Sequence, residues 1–324
     1  MLNPDQLLQK LQSEFEKHTY GVGPVELYEP ISYIMSLHGK RFRPLLTLLA
    51  SAIYSEDVEH SIKPAMAVEV FHNFTLMHDD IMDRAPLRRG KPTVHEKWNA
   101  NTAILSGDVM LIRAYDLLLD IPKEHLRIVL ARFNQTASEV CEGQQLDMNF
   151  ETRWNVTEEE YLEMIRLKTS VLLGFALELG GIIGGADEQS VKLLYSAGEN
   201  MGIGFQLKDD LLDVYGDPSK FGKQVGGDII ANKKTFLLIE ALSKATGSIK
   251  AELDQWISAE QFDPEAKVSA VKAIYESLDI RRFTEEKINT YFEKGLANLR
   301  SLNVEETRKK SLLQFVQQLV EREK

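Results

Sequence analysis

Apolar residues recur at helical spacing along almost all of the 324-residue chain, and no convincing run alternates apolar and polar residues as a strand would. A chain patterned this way folds as helices that each bury one face, so the expected class is all-α. A first helix opens at Asn3, which caps it, with Pro4 at the first position, where a missing amide hydrogen removes no helix bond. It ends before Gly21-Val22-Gly23-Pro24. Further helices are expected over 29–37, 44–55, 61–83, 96–121, 123–151, 157–184, 187–215, 232–245, 263–278, 282–300 and 305–322. Long helices joined by short loops suggest a single-domain bundle over residues 1–324. Two glycine- and charge-rich interruptions, Arg84 to Thr93 and Gly216 to Ala231, break the pattern, and each directly follows a cluster of aspartates.

Those clusters are Asp79-Asp80-Ile81-Met82-Asp83 and Asp209-Asp210-Leu211-Leu212-Asp213. On a helix the first and fifth residues of such a run lie about 40° apart on one face and roughly 6 Å along the axis. Like charges at that spacing repel, so a cation is their natural partner, and oxygen ligands without His or Cys fit Mg²⁺. Apolar neighbours, Leu76-Met77 before the first and Phe205 and Leu207 before the second, argue against plainly solvated acidic faces.

Basic residues surround both. Lys40, Arg41 and Arg43 fall within four residues at a helix junction, and Arg88, Arg89 and Lys91 follow the first cluster. Lys168 lies in an apolar helix beside Thr169, while Lys223 and Lys233 follow the second cluster. Arginine forks and lysine ammoniums take phosphate oxygens directly. Two acid clusters with two sets of cations suggest two diphosphate groups, one bridged by metals and one held by cations alone.

Net charge of −11 excludes a nucleic-acid binder, which needs a basic face. The single cysteine, Cys141, allows no intramolecular disulfide or Cys-rich zinc site and suits a reducing cytoplasm. The N-terminus lacks the basic start and apolar run of a secretory signal. The longest apolar candidate, around Val171 to Gly185, is broken by Glu178 and glycines, short of the roughly 20 residues of a membrane span. A soluble cytoplasmic protein without a transmembrane segment is expected.

With these residues in place, the chain resembles the trans-isoprenyl diphosphate synthases, by motif from about Tyr33 to Thr235. The shared features are GKRFRP at 39–44, DDIMD with RRG at 79–90, GQQLD at 143–147, KT at 168–169, and FQLKDDLLD followed by GK and KKT between 205 and 235. The resemblance implies a helical bundle of the isoprenoid synthase type around a central cavity, usually a homodimer. Its implied reaction is Mg²⁺-dependent coupling of isopentenyl diphosphate to an allylic diphosphate.

By matching position, Asp79 and Asp83 would bind two Mg²⁺ ions and Asp209 a third, with Asp213 behind it through water. Asp80 and Asp210 support them in the catalytic set, with Arg88, Lys168 and Lys233 on the allylic diphosphate and Lys223 beside it. Lys40, Arg43, His72 and Arg89 would hold isopentenyl diphosphate, and Thr169, Gln206, Gln144 and Asp147 would line the wall. His38 stands where the family often has glycine, and the acids interleaved in Glu321 to Lys324 weaken any closing role of the C-terminus.

The growing hydrocarbon should run along the helix of the first cluster, where Phe74 lies about 7.5 Å and Phe71 about 12 Å below Asp79 by helical rise. Either ring could act as a floor, and the small Thr75, four residues before Asp79, departs from the aromatic pattern of eukaryotic farnesyl synthases. A C15 to C20 product is expected, with a longer-chain synthase as the alternative. A terpene cyclase is disfavoured by the second aspartate cluster and by Lys40, Arg43 and Arg89. A non-catalytic partner subunit tends to lose the aspartates that this chain keeps.

Overall fold

The structure is a computed structural model that describes residues 3–37, 39–216 and 226–321. Lys223, His38 and Arg322 to Lys324 lie outside the described residues. The helices run α1 Pro4–Lys17, α2 Val25–Ser36, α3 Phe42–Tyr54, α4 Glu59–Met82, α5 Val94–Lys97, α6 Ala100–Leu118, α7 Lys123–Thr152, α8 Glu158–Ile165, α9 Val171–Gly184 and α10 Glu188–Tyr215. They continue with α11 Gly227–Ile230, α12 Phe236–Lys244, α13 Gly247–Ser258, α14 Pro264–Ser277, α15 Ile280–Arg300 and α16 Glu306–Glu321. The all-α expectation holds.

Four local readings need correction. The helix expected over 96–121 breaks at Trp98-Asn99, because the Asn99 side chain accepts from Thr102 N and restarts the helix as α6. The one expected over 232–245 is a turn followed by α12, capped by Thr235. Helix α13 was not anticipated, and its start at Thr246-Gly247 reads as a loop. The helix expected over 157–184 contains a π-helical turn, Arg166–Ser170, between α8 and α9.

A short antiparallel hairpin also interrupts the helical chain. Strand β1, Leu87–Arg88, pairs with β2, Lys91–Pro92, and the intervening Arg89 and Gly90 have φ of 52° and 73°. Positive φ at both central residues is what a type I′ turn requires.

By its contacts the chain divides into two compact units, the first Met1–Ala137, Leu172–Gly198 and Leu296–Leu319, the second Ser138–Val171, Glu199–Gly295 and Val320–Lys324. In the first, α4 packs on α3 and α6, with Ala65, Met66, Val68, Val70, Phe71 and Met77 buried. Each fully buried large side chain stabilises the fold by about 1.5–3 kcal/mol. In the second unit α14 packs on α11, α12 and α13, and α12 packs on α8.

The segment Glu158–Gly184 is long and apolar enough to match a membrane span by composition, but 78% of its most apolar window is buried inside the protein. Its acid, Glu178, accepts from Arg132 Nε at 2.9 and 3.0 Å, a pairing that a core helix can keep.

Candidate active site

In the first unit, α4 carries the first aspartate cluster at its C-terminal end. Asp80 is buried and receives both forks of Arg88, Nε to Oδ2 and Nη2 to Oδ1, each at 2.8 Å. Asp79 is half-buried and Asp83 exposed. The middle aspartate is therefore a strut that fixes the hairpin to α4, while the first and fifth carboxylates face outward. Arg88 keeps three of its five N–H groups for another oxygen.

The hairpin turn also places Arg89. Its Nη1 donates to the Leu37 carbonyl, and its guanidinium lies over Gly39, where an added Cβ would sit 2.7 Å from Nη2. A side chain at position 39 would make the guanidinium shift. A cavity of about 340 Å³ is lined by Lys40, Arg41, Arg43, Glu69, His72 and Arg89. The four predicted residues of the isopentenyl diphosphate set thus come together.

Arg43 Nη1 lies 3.0 Å from His72 Nε2. A guanidinium only donates, so Nε2 accepts and the ring is neutral with its proton on Nδ1. Loss of hydration, then the charges of Arg43, Arg89 and Arg88, push the His72 pKa well below its ordinary value.

Sequence reasoning missed Glu69, a buried carboxyl on the wall of this cavity whose Oε1 accepts from Asn73 Nδ2 at 3.3 Å. Burial raises its pKa against the pull of Arg43. The signal was present: an acid one turn before His72, within the apolar run Ala65 to Phe71.

The second unit repeats the arrangement with different partners. Asp210 is buried, and its Oδ2 accepts from the hydroxyl of Tyr161, itself buried, while Oδ1 accepts from Gln206 Nε2 at 3.1 Å. Asp209 is exposed, and Asp213 Oδ2 accepts from the Asp228 amide at 3.0 Å. Thr169 Oγ1 donates to Gln206 Oε1 at 3.3 Å, extending the chain of bonds that fixes Asp210.

Lys168 and Thr169 sit in the π-helical turn, a feature frequent at functional sites because its extra residue re-aims side chains. Gly143 lets α7 reach this turn, since a Cβ there would lie 2.2 Å from the Lys168 amide nitrogen. One turn along α7, Asp147 Oδ2 meets Lys168 Nζ at 2.5 Å. Gln144, between them, is buried with both amide atoms making no hydrogen bond among the described residues. Such an orphaned amide suits a polar ligand. Lys233 is exposed, with Nζ 3.9 Å from Asp228 Oδ1.

Burial pushes the Asp210 carboxyl up to about 7, against the Lys233 charge. Its folded pKa thus exceeds the unfolded value, so the stability it contributes is present below about pH 4 and is lost as pH rises through 7. In EDTA, Asp210→Asn should be more stable than the parent at pH 8 by about 1–4 kcal/mol, with the gap closing toward pH 4. Urea midpoints across that range check this, and parallel pH curves would contradict it.

Among the described residues, no three His, Cys, Asp or Glu side chains gather into a ready metal cage. The outward pairs Asp79 with Asp83 and Asp209 with Asp213 are all-oxygen and accessible. They fit Mg²⁺, which completes its shell with water and substrate phosphate rather than protein ligands.

Comparison with known proteins shows which family the chain belongs to. The chain is 38% identical over 304 residues to a geranylgeranyl diphosphate synthase of Methanosarcina mazei, covering 93% of this chain and 91% of that one. A crystal structure of a geranylgeranyl pyrophosphate synthase superposes with a TM-score of 0.95 at 45% identity over 100% of both chains. A polyprenyl synthase of Caulobacter crescentus, crystallised with calcium and isoprenyl diphosphate, gives 0.87 at 27% identity, covering 99% of this chain and 98% of that one. The profile described as Polyprenyl synthetase matches residues 24–278, and the chain belongs to that family.

Proposed function

We propose that this enzyme is a geranylgeranyl diphosphate synthase, adding isopentenyl diphosphate head-to-tail to allylic diphosphates and stopping mainly at C20. The observation that carries the reading is that each unit holds a carboxylate pair about a buried, hydrogen-bonded middle aspartate, and that the first unit also holds a cavity walled by Lys40, Arg43, His72 and Arg89. The relatives named for geranylgeranyl diphosphate support the chain length.

In this reading the cavity holds the diphosphate of isopentenyl diphosphate, to which His72 offers its Nδ1 proton and the cations their forks. Asp79 and Asp83 would hold two Mg²⁺ and Asp209 the third, with Asp213 in support. When bound, the metal neutralises charge on the departing allylic diphosphate. Arg88, Lys168 and Lys233 do the same directly, and Thr169, Gln206, Gln144 and Asp147 orient the polar wall. Apolar side chains exclude the water that would otherwise capture the allylic cation. The double bond of isopentenyl diphosphate attacks that cation, and the departed diphosphate accepts the released proton.

We also propose a homodimer. On α6 and at its end, Leu105, Ile112 and Leu119 are 58%, 57% and 58% exposed at intervals of seven residues, an apolar stripe that a second copy would cover.

The test is to incubate purified protein with isopentenyl diphosphate, Mg²⁺ and dimethylallyl, geranyl or farnesyl diphosphate in turn, sizing products by chromatography and the protein by light scattering. C20 diphosphate from every primer and twice the chain mass are expected, with all product lost in EDTA. No condensation with any primer would sink the reading, and a monomeric mass would sink the dimer.

A further inference from the structure

Lys267, in α14, has no exposed surface. A lysine ammonium leaves water only where other groups replace its hydration. Here Nζ donates to Asn232 Oδ1 at 2.7 Å and to the Ile230 carbonyl at 3.3 Å, and it lies 4.1 Å from the centre of the Phe262 ring. All three are neutral groups. A methionine would fill similar volume with no buried charge, so core packing alone does not account for a lysine here.

Both oxygens belong to the segment that follows the second aspartate cluster. Ile230 ends α11, and Asn232 adopts the left-handed region at φ 52°, which asparagine tolerates better than most residues. Asn232 is held from two further directions: its Nδ2 donates to the Ile257 carbonyl at 3.0 Å, and its own carbonyl accepts from Lys234 Nζ at 3.1 Å. The next residue is Lys233, whose amide donates to the Asp228 carbonyl at 2.9 Å. Asp228 in turn donates its amide to Asp213. A continuous chain of bonds therefore runs from Lys267 through the Asn232 turn to Lys233 and to the second cluster.

We propose that Lys267 is a positioning residue for the reaction, fixing the Asn232 turn so that Lys233 is aimed at the departing diphosphate. This rests on the reading that Lys233 contacts that diphosphate. Lys267 touches neither substrate nor metal; it acts through Lys233 alone. A small misplacement of a charge-stabilising group costs up to about a hundredfold in rate, which sets the scale of the effect.

The test is a double-mutant cycle on the full chain with saturating Mg²⁺, comparing the parent, Lys267→Met, Lys233→Ala and the double variant. Lys267→Met should lower kcat by about tenfold or more, while KM for isopentenyl diphosphate stays within about twofold. In the Lys233→Ala background the same change should cost less than about twofold, because the residue it positions is gone. Should Lys267→Met fail to fold, Asn232→Gly keeps the left-handed turn while deleting the oxygen that Lys267 holds, and it should give the same kcat loss and the same silence without Lys233. Equal losses in both backgrounds overturn the proposal, as does a parental kcat in a folded Lys267→Met. A slow Lys233→Ala beside a parental Lys267→Met overturns the positioning role alone. A parental rate in Lys233→Ala overturns the diphosphate reading and this proposal with it.

Discussion

Asp79→Ala should lower turnover by about a thousandfold or more while leaving the protein as stable as the parent within about 1 kcal/mol. The reason lies in how the first cluster divides its work. Asp79 is half-buried and Asp83 exposed one turn further along, and like charges at that spacing repel, so a cation is favoured between them. Asp80→Ala is the contrasting case. It would strand the Arg88 guanidinium that Asp80 now receives on both oxygens, at a cost of about 3–5 kcal/mol. Turnover measured by product chromatography, beside urea midpoints for both variants, separates the two roles. Activity of Asp79→Ala within tenfold of the parent would remove it from the metal site, and a large loss of stability would make it structural.

The second cluster follows the same division with different chemistry. Its middle residue, Asp210, is held by a phenol and an amide rather than a guanidinium, and burial lifts its pKa. Asp80 is paired with the guanidinium of Arg88, whereas Asp210 is held by two neutral side chains, Tyr161 and Gln206. Lys233 is the cation that acts against that rise, which ties the Asn232 turn to the electrostatics of the cluster.

Most helices were legible because burial of one face imposes a repeat that survives in sequence, as in α7, α10 and α14. The breaks were less legible. Trp98 continues the apolar pattern of 96–121, so the restart at Asn99 is masked although asparagine is a strong cap. The hairpin strands are two residues each, too short for alternation to register, and only Arg89-Gly90 hints at the turn. A π turn adds one residue to a helix and leaves the apolar repeat nearly unchanged, which hid Arg166–Ser170.

In the site, the aspartates and cations stood out as residue types, but their partners did not. Tyr161 meets Asp210 across 49 positions and Lys168 meets Asp147 across 21, pairings set by how helices pack rather than by local pattern. Lys267 carried no sequence signal. A lysine in an amphipathic helix ordinarily lies on the solvated face, and only the packing of α14 under the Asn232 turn buries it.

Phe74→Ala should lengthen the main product by at least one isoprene unit and destabilise the protein by about 3–5 kcal/mol. Phe74 is buried, tilted on Phe71 with centroids 5.6 Å apart and edge-on to His78 at 4.8 Å. Phe71 in turn meets Phe133 at 5.1 Å, and Phe133 meets Phe175 at 5.7 Å, so the rings form one packed layer below the first cluster. Thr75, on the Asp79 face of α4, is small and turns its hydroxyl to the His72 carbonyl at 2.8 Å. Phe74 lies about 7.5 Å down the helix from Asp79, and its removal opens volume that the surrounding rings refill only in part. Phe71→Ala provides the control. It loosens the same layer about 12 Å down and should cost similar stability, yet with the Phe74 ring in place product length should stay at C20. Chromatography of products from both variants, run below their melting temperatures, decides between a specific floor and general loosening. If Phe74→Ala still stops at C20, the ring is ordinary core and the floor lies elsewhere; if both variants lengthen the chain equally, the whole layer sets the limit.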